Sequence, residues 1–356
     1  MSEQKYTNSE KYQQEIAKQY KKRVFKFSTA EIATVLKLLG IAISPKTIKE
    51  AVTGNMNPTY LTQELAIKIN KNREKPKYWA NKIVSDKLSS NYPVVKTVAY
   101  DFFEKTDCEV LVMQRATGTL LLDDIFGLNE EAQIDVFKQV VEVVRQLFTI
   151  KFDSFGSVND DTESFPTYSA LLKNKFKQYT QTIRNQKLCN DEDIKKVEKY
   201  FLDNVDIFDN ETPVLIHTDL HMGNILHQGN KLTAIIDFDS ALRGPKMSAF
   251  IPLFGFIDNP SQFVEGTKDF PKYKGKNFYN FLPLLKEIFP DIFSDQLLLR
   301  KLNINGIVIG MMWIAGNWSA DWNKEEMRNI VNNELPGSDQ GLRESYYGKI
   351  LARVKS

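Results

Sequence analysis

Residues 214–240 read VLIHTDLHMGNILHQGNKLTAIIDFDS. Val214, Leu215 and Ile216 are apolar and largely β-branched, the pattern of a short buried strand. A polar loop follows over 217–224. Ile225 and Leu226 open a second strand, and Gln228, Gly229, Asn230 and Lys231 carry turn chemistry. A third strand is predicted over 232–236, ending in Asp237, Phe238 and Asp239. Asp219, Asn224 and Asp237 therefore stand at the mouths of short strands joined by tight turns, which can hold them close together. All three histidines of the chain, His217, His221 and His227, lie in the same stretch.

An aspartate, an asparagine five residues later and an aspartate at the end of the next strand suit phosphoryl transfer from a nucleotide. One carboxylate must accept the proton of the attacking hydroxyl, and Asp219 is placed for that. A second carboxylate and an amide oxygen must hold Mg²⁺, a hard cation that prefers oxygen ligands and keeps several waters. Asn224 and Asp237 are placed for that.

H-x-D-x-x-x-x-N followed by I-D-F-D resembles the catalytic core of the aminoglycoside phosphotransferase and choline kinase superfamily. Its usual form is H-G-D-L-H-x-x-N, a strand, then I-D-[WF]-[DE]. Residues 217–221 and 236–239 carry the match, and two motifs agree in order, spacing and strand context. The resemblance implies a bilobal, protein-kinase-like α+β fold, with an antiparallel sheet and one helix in the N-lobe and a mainly helical C-lobe. The expected divisions are an N-terminal helical segment over 1–45, a nucleotide-binding sheet over 46–113, a hinge over 114–118 and a C-lobe over 119–356. His217 is expected to be a buried organiser of the loop, and His227 to lie on the surface. His221 is expected near the phosphates, with its role open. Asp239 is expected to contact a second metal or support the loop. A zinc site from the histidines is not expected, because H-x-x-x-H here falls on a loop and not on a helix.

The same resemblance extends upstream. A strand is predicted over 46–52, a turn over 53–58 and return strands over 59–61 and 64–69. Gly54, Asn57 and Tyr60 resemble the superfamily's G-G-x-x-N-x-x-Y hairpin, whose tip lies over the triphosphate. Gly54 permits close approach, and free turn amides can bond phosphate oxygens. Leu65, Ala66, Ile67 and Lys68 resemble the V-A-I-K strand of kinases. A lysine on an apolar strand is costly unless its ammonium meets an anion, which nucleotide phosphates would supply. The helix predicted over 77–88 should carry the glutamate that pairs with this lysine in the family, but no glutamate falls there. Asn81 is near the expected place, Asp86 is one turn later, and Glu74 precedes the helix. Either a nearby acid substitutes, or something else holds the lysine. The strand 108–114 leads to the hinge, where backbone groups of Gln114 and Ala116 would bond the adenine edge.

A formal net charge of +2 over 356 residues argues against a polyanionic partner. The two cysteines match no metal or redox spacing and suit a reducing cytosol. The polar start, MSEQKYTNSEKYQQE, lacks a signal peptide's apolar stretch. The longest apolar run, 304–315, is shorter than the ~20 residues that cross a bilayer. A soluble, cytoplasmic protein is expected. The basic run 18–26 is read as a solvated helix face over 10–25 rather than a nucleic-acid arm. Ser28 and Glu31 form a capping-box signature, with the helix ended by Gly40.

Long helices are predicted over 130–148, 168–185 and 191–204. Gly244 and Pro245 keep part of the superfamily's G-D-P-x-x-D, but both acids are missing. Trp313, Trp318 and Trp322 are read as helix-packing core, with an aromatic cage the alternative. Asp321, Glu325 and Glu326 follow. The expected reaction is ATP-dependent phosphorylation of a small-molecule hydroxyl, with GTP an open alternative to ATP and oligomeric state undetermined. An aminoglycoside is the first candidate acceptor, and choline, homoserine or a sugar the second. A nucleotide-binding regulator with little catalysis is a third reading.

Overall fold

The computed structural model describes residues 26–51, 58–70, 76–103, 108–264, 269–316, 319–336 and 339–354. Two compact units result. The first comprises Met1–Leu147, Ser157–Asp161 and Asp219–Ala241, and the second Phe148–Gly156, Thr162–Thr218 and Leu242–Ser356. The helix expected over 10–25, Gly54, Asn57 and Trp318 lie outside the described residues.

The first unit opens with α1 (Thr29–Leu38). Its capping box forms as the sequence predicts. The Ser28 amide donates to Glu31 Oε2 at 2.7 Å, and the Glu31 amide donates to Ser28 Oγ at 3.3 Å. Gly40, at φ 76°, ends the turn that follows. Ile32, Val35 and Leu36 face a five-stranded antiparallel sheet. The strands are β1 (Lys49–Glu50), β2 (Thr59–Leu61), β3 (Leu65–Asn70), β4 (Thr97–Phe103) and β5 (Cys108–Gln114), in the order β1-β2-β3-β5-β4.

The strand expected over 46–52 is largely absent. Pro45–Thr47 forms a single 3₁₀ turn, and only Lys49 and Glu50 pair with β2. A proline with its fixed φ suits the start of such a turn better than a ladder. The paired segment β4 begins only at Thr97. Before it, Val94 makes only an isolated parallel bridge to Ile235.

The register of the sheet places the site. Ile67 pairs with Val112 and Lys68 with Leu111. Successive side chains alternate faces, so Ile67, Ile69, Val110 and Val112 join the core beneath α1. Ala66, Leu111 and Met113 pack with Tyr78 on the opposite side. Lys68 shares that second face. Helix α2 (Trp79–Leu88) presents Ala80, Asn81, Val84, Ser85 and Leu88 as its buried residues, a helical period that includes one asparagine.

The first unit also holds a three-stranded sheet of β6 (Thr119–Leu120), β7 (Ile225–Gln228) and β8 (Lys231–Ile235), with β7 in the middle. Helix α3 (Glu130–Leu147) runs against it, and Gln139 Oε1 accepts from the Leu232 amide at 3.1 Å. Because β7 is central, His227 is 1 % exposed, which corrects its expected place on the surface. Its Nδ1 lies 2.9 Å from the Gly229 carbonyl and is therefore the protonated nitrogen. Gly118 sits before β6 at φ 105°, and a Cβ there would run into the His227 carbonyl and lie close to Thr233 Oγ1. We expect Gly118→Ala to cost about 2–3 kcal/mol, from backbone strain plus the clash. Urea denaturation checks this, and a loss below about 0.5 kcal/mol would mean the hairpin yields freely.

The second unit is mainly helical. Helices α4 (Tyr168–Asn185) and α5 (Asp191–Asn204) begin and end where the sequence predicts, because Thr167 and Asn190 cap their first turns. Phe176 and Phe201 stack between them at 4.1 Å. Strands Val214–Ile216 and Leu242–Gly244 pair antiparallel. Helix α6 (Leu298–Ala315) is apolar and long enough to cross a membrane by length and composition, and 61 % of it is buried inside the protein. It carries polar anchors: Tyr168 donates to Asn305 Oδ1 at 2.8 Å, and Lys301 meets Asp295 at 2.7 Å. Trp313 is 43 % exposed, so the core reading fails for it. It falls in the last turn of α6, beside the similarly exposed Met312. Trp322 is partly buried on α7 (Ala320–Asn329), which also carries Asp321, Glu325 and Glu326.

Candidate active site

The hairpin β7–β8 does the first part of the assembly. Ile225 pairs with Ile235, and the Ile236 amide donates to the Asn224 carbonyl at 3.0 Å. The same bond sets Asn224 beside the start of the 236–239 turn. Asn224 is 7 % exposed, and its Nδ2 donates to the Asp219 backbone carbonyl at 2.8 Å. That bond fixes which end of the amide is which. The Nδ2 is committed to Asp219, while Oδ1 makes no hydrogen bond among the described residues. The Asp219 side chain is 54 % exposed.

His221 joins the same loop. Its Nδ1 accepts from the Gly223 amide at 3.0 Å, so in the neutral ring the proton sits on Nε2. Nε2 lies 3.7 Å from Asp219 Oδ1, close enough for attraction and too long for a good hydrogen bond. The ring thus stands beside the Asp219 carboxylate. His217 is buried, as expected, just past the strand Val214–Ile216.

Asp237 follows at the end of β8. It is one of two non-glycine residues at positive φ, 67°, among the described residues. Aspartate tolerates this conformation better than most, and such strain gathers at functional sites. Its Oδ1 accepts from Lys68 Nζ at 2.7 Å. Lys68 Nζ also meets Asp239 Oδ1 and Oδ2 at 3.0 and 2.9 Å. The lysine predicted to need an anion therefore has two carboxylates. Burial would lower its pKa, but Asp239 and Asp237 outweigh that and raise it. Burial lifts the Asp239 carboxyl to about 6, with Lys68 opposing and Asp237 repelling. These directions are compatible, because one ammonium serves two acids. The Tyr78 ring lies 5.8 Å from Lys68 Nζ, within reach of a cation–π attraction.

Asn81, near the place expected for the helix acid, reaches the same Asp239 carboxylate. Asn81 Nδ2 donates to Asp239 Oδ1 at 3.0 Å, and the Phe238 amide donates to Asn81 Oδ1 at 3.3 Å. Asp86 instead pairs with Lys82 on the helix surface, and Glu74 lies outside the described residues. Asp239 has both oxygens on Lys68, with Asn81 on one of them.

Two residues of this framework escaped the sequence reading. Glu109 on β5 is 0 % exposed and accepts from Lys77 N, Tyr78 N, Asn70 Nδ2 and Tyr100 Oη at 2.7, 2.8, 3.2 and 3.1 Å. Asn159 accepts from the Ala80 amide and donates to the Asp239 carbonyl, both at 2.7 Å. Glu109 left a signal, a charge in the otherwise apolar CEVLVMQ. Asn159 left none.

At the hinge, the Gln114 amide donates to the Lys96 carbonyl at 2.8 Å and the Arg115 amide to the Glu64 carbonyl at 2.7 Å. Both amides are thus used by the sheet. A nucleotide contact from Gln114 would have to come from its carbonyl, whereas the Ala116 amide makes no bond among the described residues.

The model of the phosphotransferase enzyme family matches residues 47–254, more than half of the chain. The chain belongs to the phosphotransferase enzyme family. It is a phosphotransferase. No curated protein sequence matches it. Among solved structures, it is similar to a thermostable mutant of aminoglycoside phosphotransferase APH(4)-Ia in ternary complex with AMP-PNP and hygromycin B. That match has 14 % identity and a TM-score of 0.59, covering 86 % of this chain and 98 % of the other. A second is the streptomycin–ATP–APH(2")-IIa ternary complex, at 15 % identity and a TM-score of 0.58, covering 89 % and 99 %. Identities this low speak for the fold alone, which is protein-kinase-like and α+β, as the two motifs predicted. The matched region of this phosphotransferase takes in Lys68, Asn81, Glu109, Asp219, Asn224, Asp237 and Asp239.

Proposed function

We propose that this phosphotransferase moves the γ-phosphoryl group of ATP to a hydroxyl of a small molecule, with an aminoglycoside-like compound as the first candidate. The observation that carries the reading is the gathering of Asp219, Asn224, Asp237 and Lys68 within one unit through the β7–β8 hairpin and the Lys68–Asp237 bond. Asp219, half-exposed, accepts the proton of the attacking hydroxyl. The hydroxyl oxygen forms its bond to the γ-phosphorus as the bond to the β–γ bridging oxygen breaks, and ADP leaves with those electrons. Lys68 holds the phosphates. The lobe boundaries at 46–113, 114–118 and 119–356 belong to the same reading.

The oxygens of Asn224 and Asp237 suit Mg²⁺. The Asn224 amide is turned with its nitrogen on Asp219, which directs the oxygen elsewhere, and the Asp237 side chain is 39 % exposed. Two protein oxygens plus waters are what Mg²⁺ commonly takes beside phosphates. When bound there, the ion neutralises charge on the β- and γ-phosphates.

The acceptor assignment draws on the folds it resembles, whose solved complexes contain hygromycin B, streptomycin and gentamicin. A metabolic alcohol such as choline, homoserine or a sugar is the second candidate, because one observation loosens the carry-over of the acceptor from the family. The acids of the superfamily's G-D-P-x-x-D are missing after Asp239, and Lys246 pairs with Asp291 in this stretch. The test is ADP release in Mg-ATP over a panel of aminoglycosides, choline, ethanolamine, homoserine and sugars. We expect one class to stimulate release and Asp219→Asn to abolish the stimulation. Stimulation that survives in the mutant would remove Asp219 from the reaction. Nucleotide binding without stimulation by any alcohol would favour a regulator.

A further inference from the structure

We propose that Asp239, oriented by Asn81, is the counter-ion that positions Lys68 against the nucleotide phosphates, replacing the helix glutamate expected at this point of the fold. The proposal deepens the nucleotide part of the reading above and rests on it, while making no use of the acceptor.

Two carboxylates touch Lys68, and they differ. Asp237 is 39 % exposed and offers Oδ1 alone to the lysine, which suits a residue that also serves a metal. The Asp239 side chain is 12 % exposed and places both oxygens on the ammonium. If Asp237 turns to the metal, Asp239 is the acid that stays with the lysine. Its placement is fixed from two sides. Asn159 holds its backbone carbonyl at 2.7 Å, and Asn81 holds its Oδ1 at 3.0 Å. The Asn81 amide cannot turn over without loss, because the Phe238 amide donates to its other end.

This arrangement also explains why α2 lacks an acid. A glutamate at 81 would set a third carboxylate around one ammonium, beside a buried Asp239, and like charges at that range are strongly disfavoured. An asparagine is neutral and its NH₂ donates to the carboxylate. An acid at 239 with a donor at 81, or an acid at 81 with a neutral residue at 239, would each balance the charge. With Asp237 turned to the metal, two acids or none would not. Residues 81 and 239 should therefore behave as a pair.

The experiment exchanges them. Binding of Mg-AMP-PNP is measured by calorimetry for the unmodified chain, Asp239→Asn, Asn81→Glu and the double variant. We expect each single change to weaken binding about tenfold or more, and the double variant to return to within about threefold of the unmodified chain. In a second arm without nucleotide, Lys68→Met is introduced into the unmodified and Asp239→Asn chains, and unfolding is followed in urea. The effect of Lys68→Met should be clearly smaller where Asp239 is already neutral.

Three results overturn the proposal. One is a single variant that binds like the unmodified chain, and another is a double variant no better than the poorer single. The third is an equal effect of Lys68→Met in both backgrounds. Silence of every alcohol in the turnover panel would count against the acceptor alone and leave this comparison standing. Failure of the unmodified chain to bind Mg-AMP-PNP would overturn both readings.

Discussion

Asp219→Asn should lower turnover by about 10²–10⁴-fold, the usual contribution of a positioned base. The dissociation constant for AMP-PNP should stay within about threefold of the unmodified value, because the lost interaction belongs to the transition state. The geometry supports a clean substitution. Asn224 bonds the backbone carbonyl of residue 219, which the change leaves in place. The weaker 3.4 Å approach of Asn224 Nδ2 to Oδ2, and the 3.7 Å approach of His221 to Oδ1, touch the side chain itself. The loop should therefore keep its shape. Single-turnover kinetics beside equilibrium binding separate the two effects. A fall in nucleotide affinity as large as the fall in rate would show that Asp219 supports the loop and does not take the proton.

Glu109→Gln should be nearly as damaging as Glu109→Ala, at about 3–5 kcal/mol of stability each. Ordinarily the amide is the mild replacement. Here all four partners are donors, two on each oxygen: Tyr78 N and Tyr100 Oη on Oε1, Lys77 N and Asn70 Nδ2 on Oε2. A glutamine must turn its NH₂ toward one of those pairs, setting donors against donors in a site with no exposure to water. Thermal unfolding should fall by roughly 10 °C in both variants. A glutamine variant within about 1 kcal/mol of the unmodified chain would mean that the pocket admits water or rotates its donors away.

The sequence disclosed the parts of this molecule that repeat a local rule. Ser28 and Glu31 announced a capping box that forms atom for atom. The helices over 168–185 and 191–204 stand where the sequence places them, and Thr167 and Asn190 cap their first turns. Lys68 could be singled out because a charge in Leu-Ala-Ile-Lys-Ile demands a partner.

Identifying that partner was beyond a linear reading. Asp239 lies 171 positions away along the chain, and the two meet only through sheet register and the β7–β8 hairpin. His227 was misplaced for a related reason: whether a hairpin strand is central or at an edge depends on β6, far upstream. Asn81 was noticed for what it is not. That it donates to Asp239 follows from the 80, 81, 84, 85, 88 face of α2 meeting the 237–239 turn.

The ties on α2 reach further than the lysine. In kinases whose activity is controlled, moving this helix is a common means of breaking the site. Here Glu109 receives two amides leading into the helix, Asn159 receives a third, and Asn81 makes two more bonds to the 237–239 turn. At about 1 kcal/mol each, five such bonds would hold a swung-out helix to roughly one molecule in several thousand. Ties of this kind suit a site whose helix stays in place between turnovers. Its output would then follow the concentrations of nucleotide and acceptor directly.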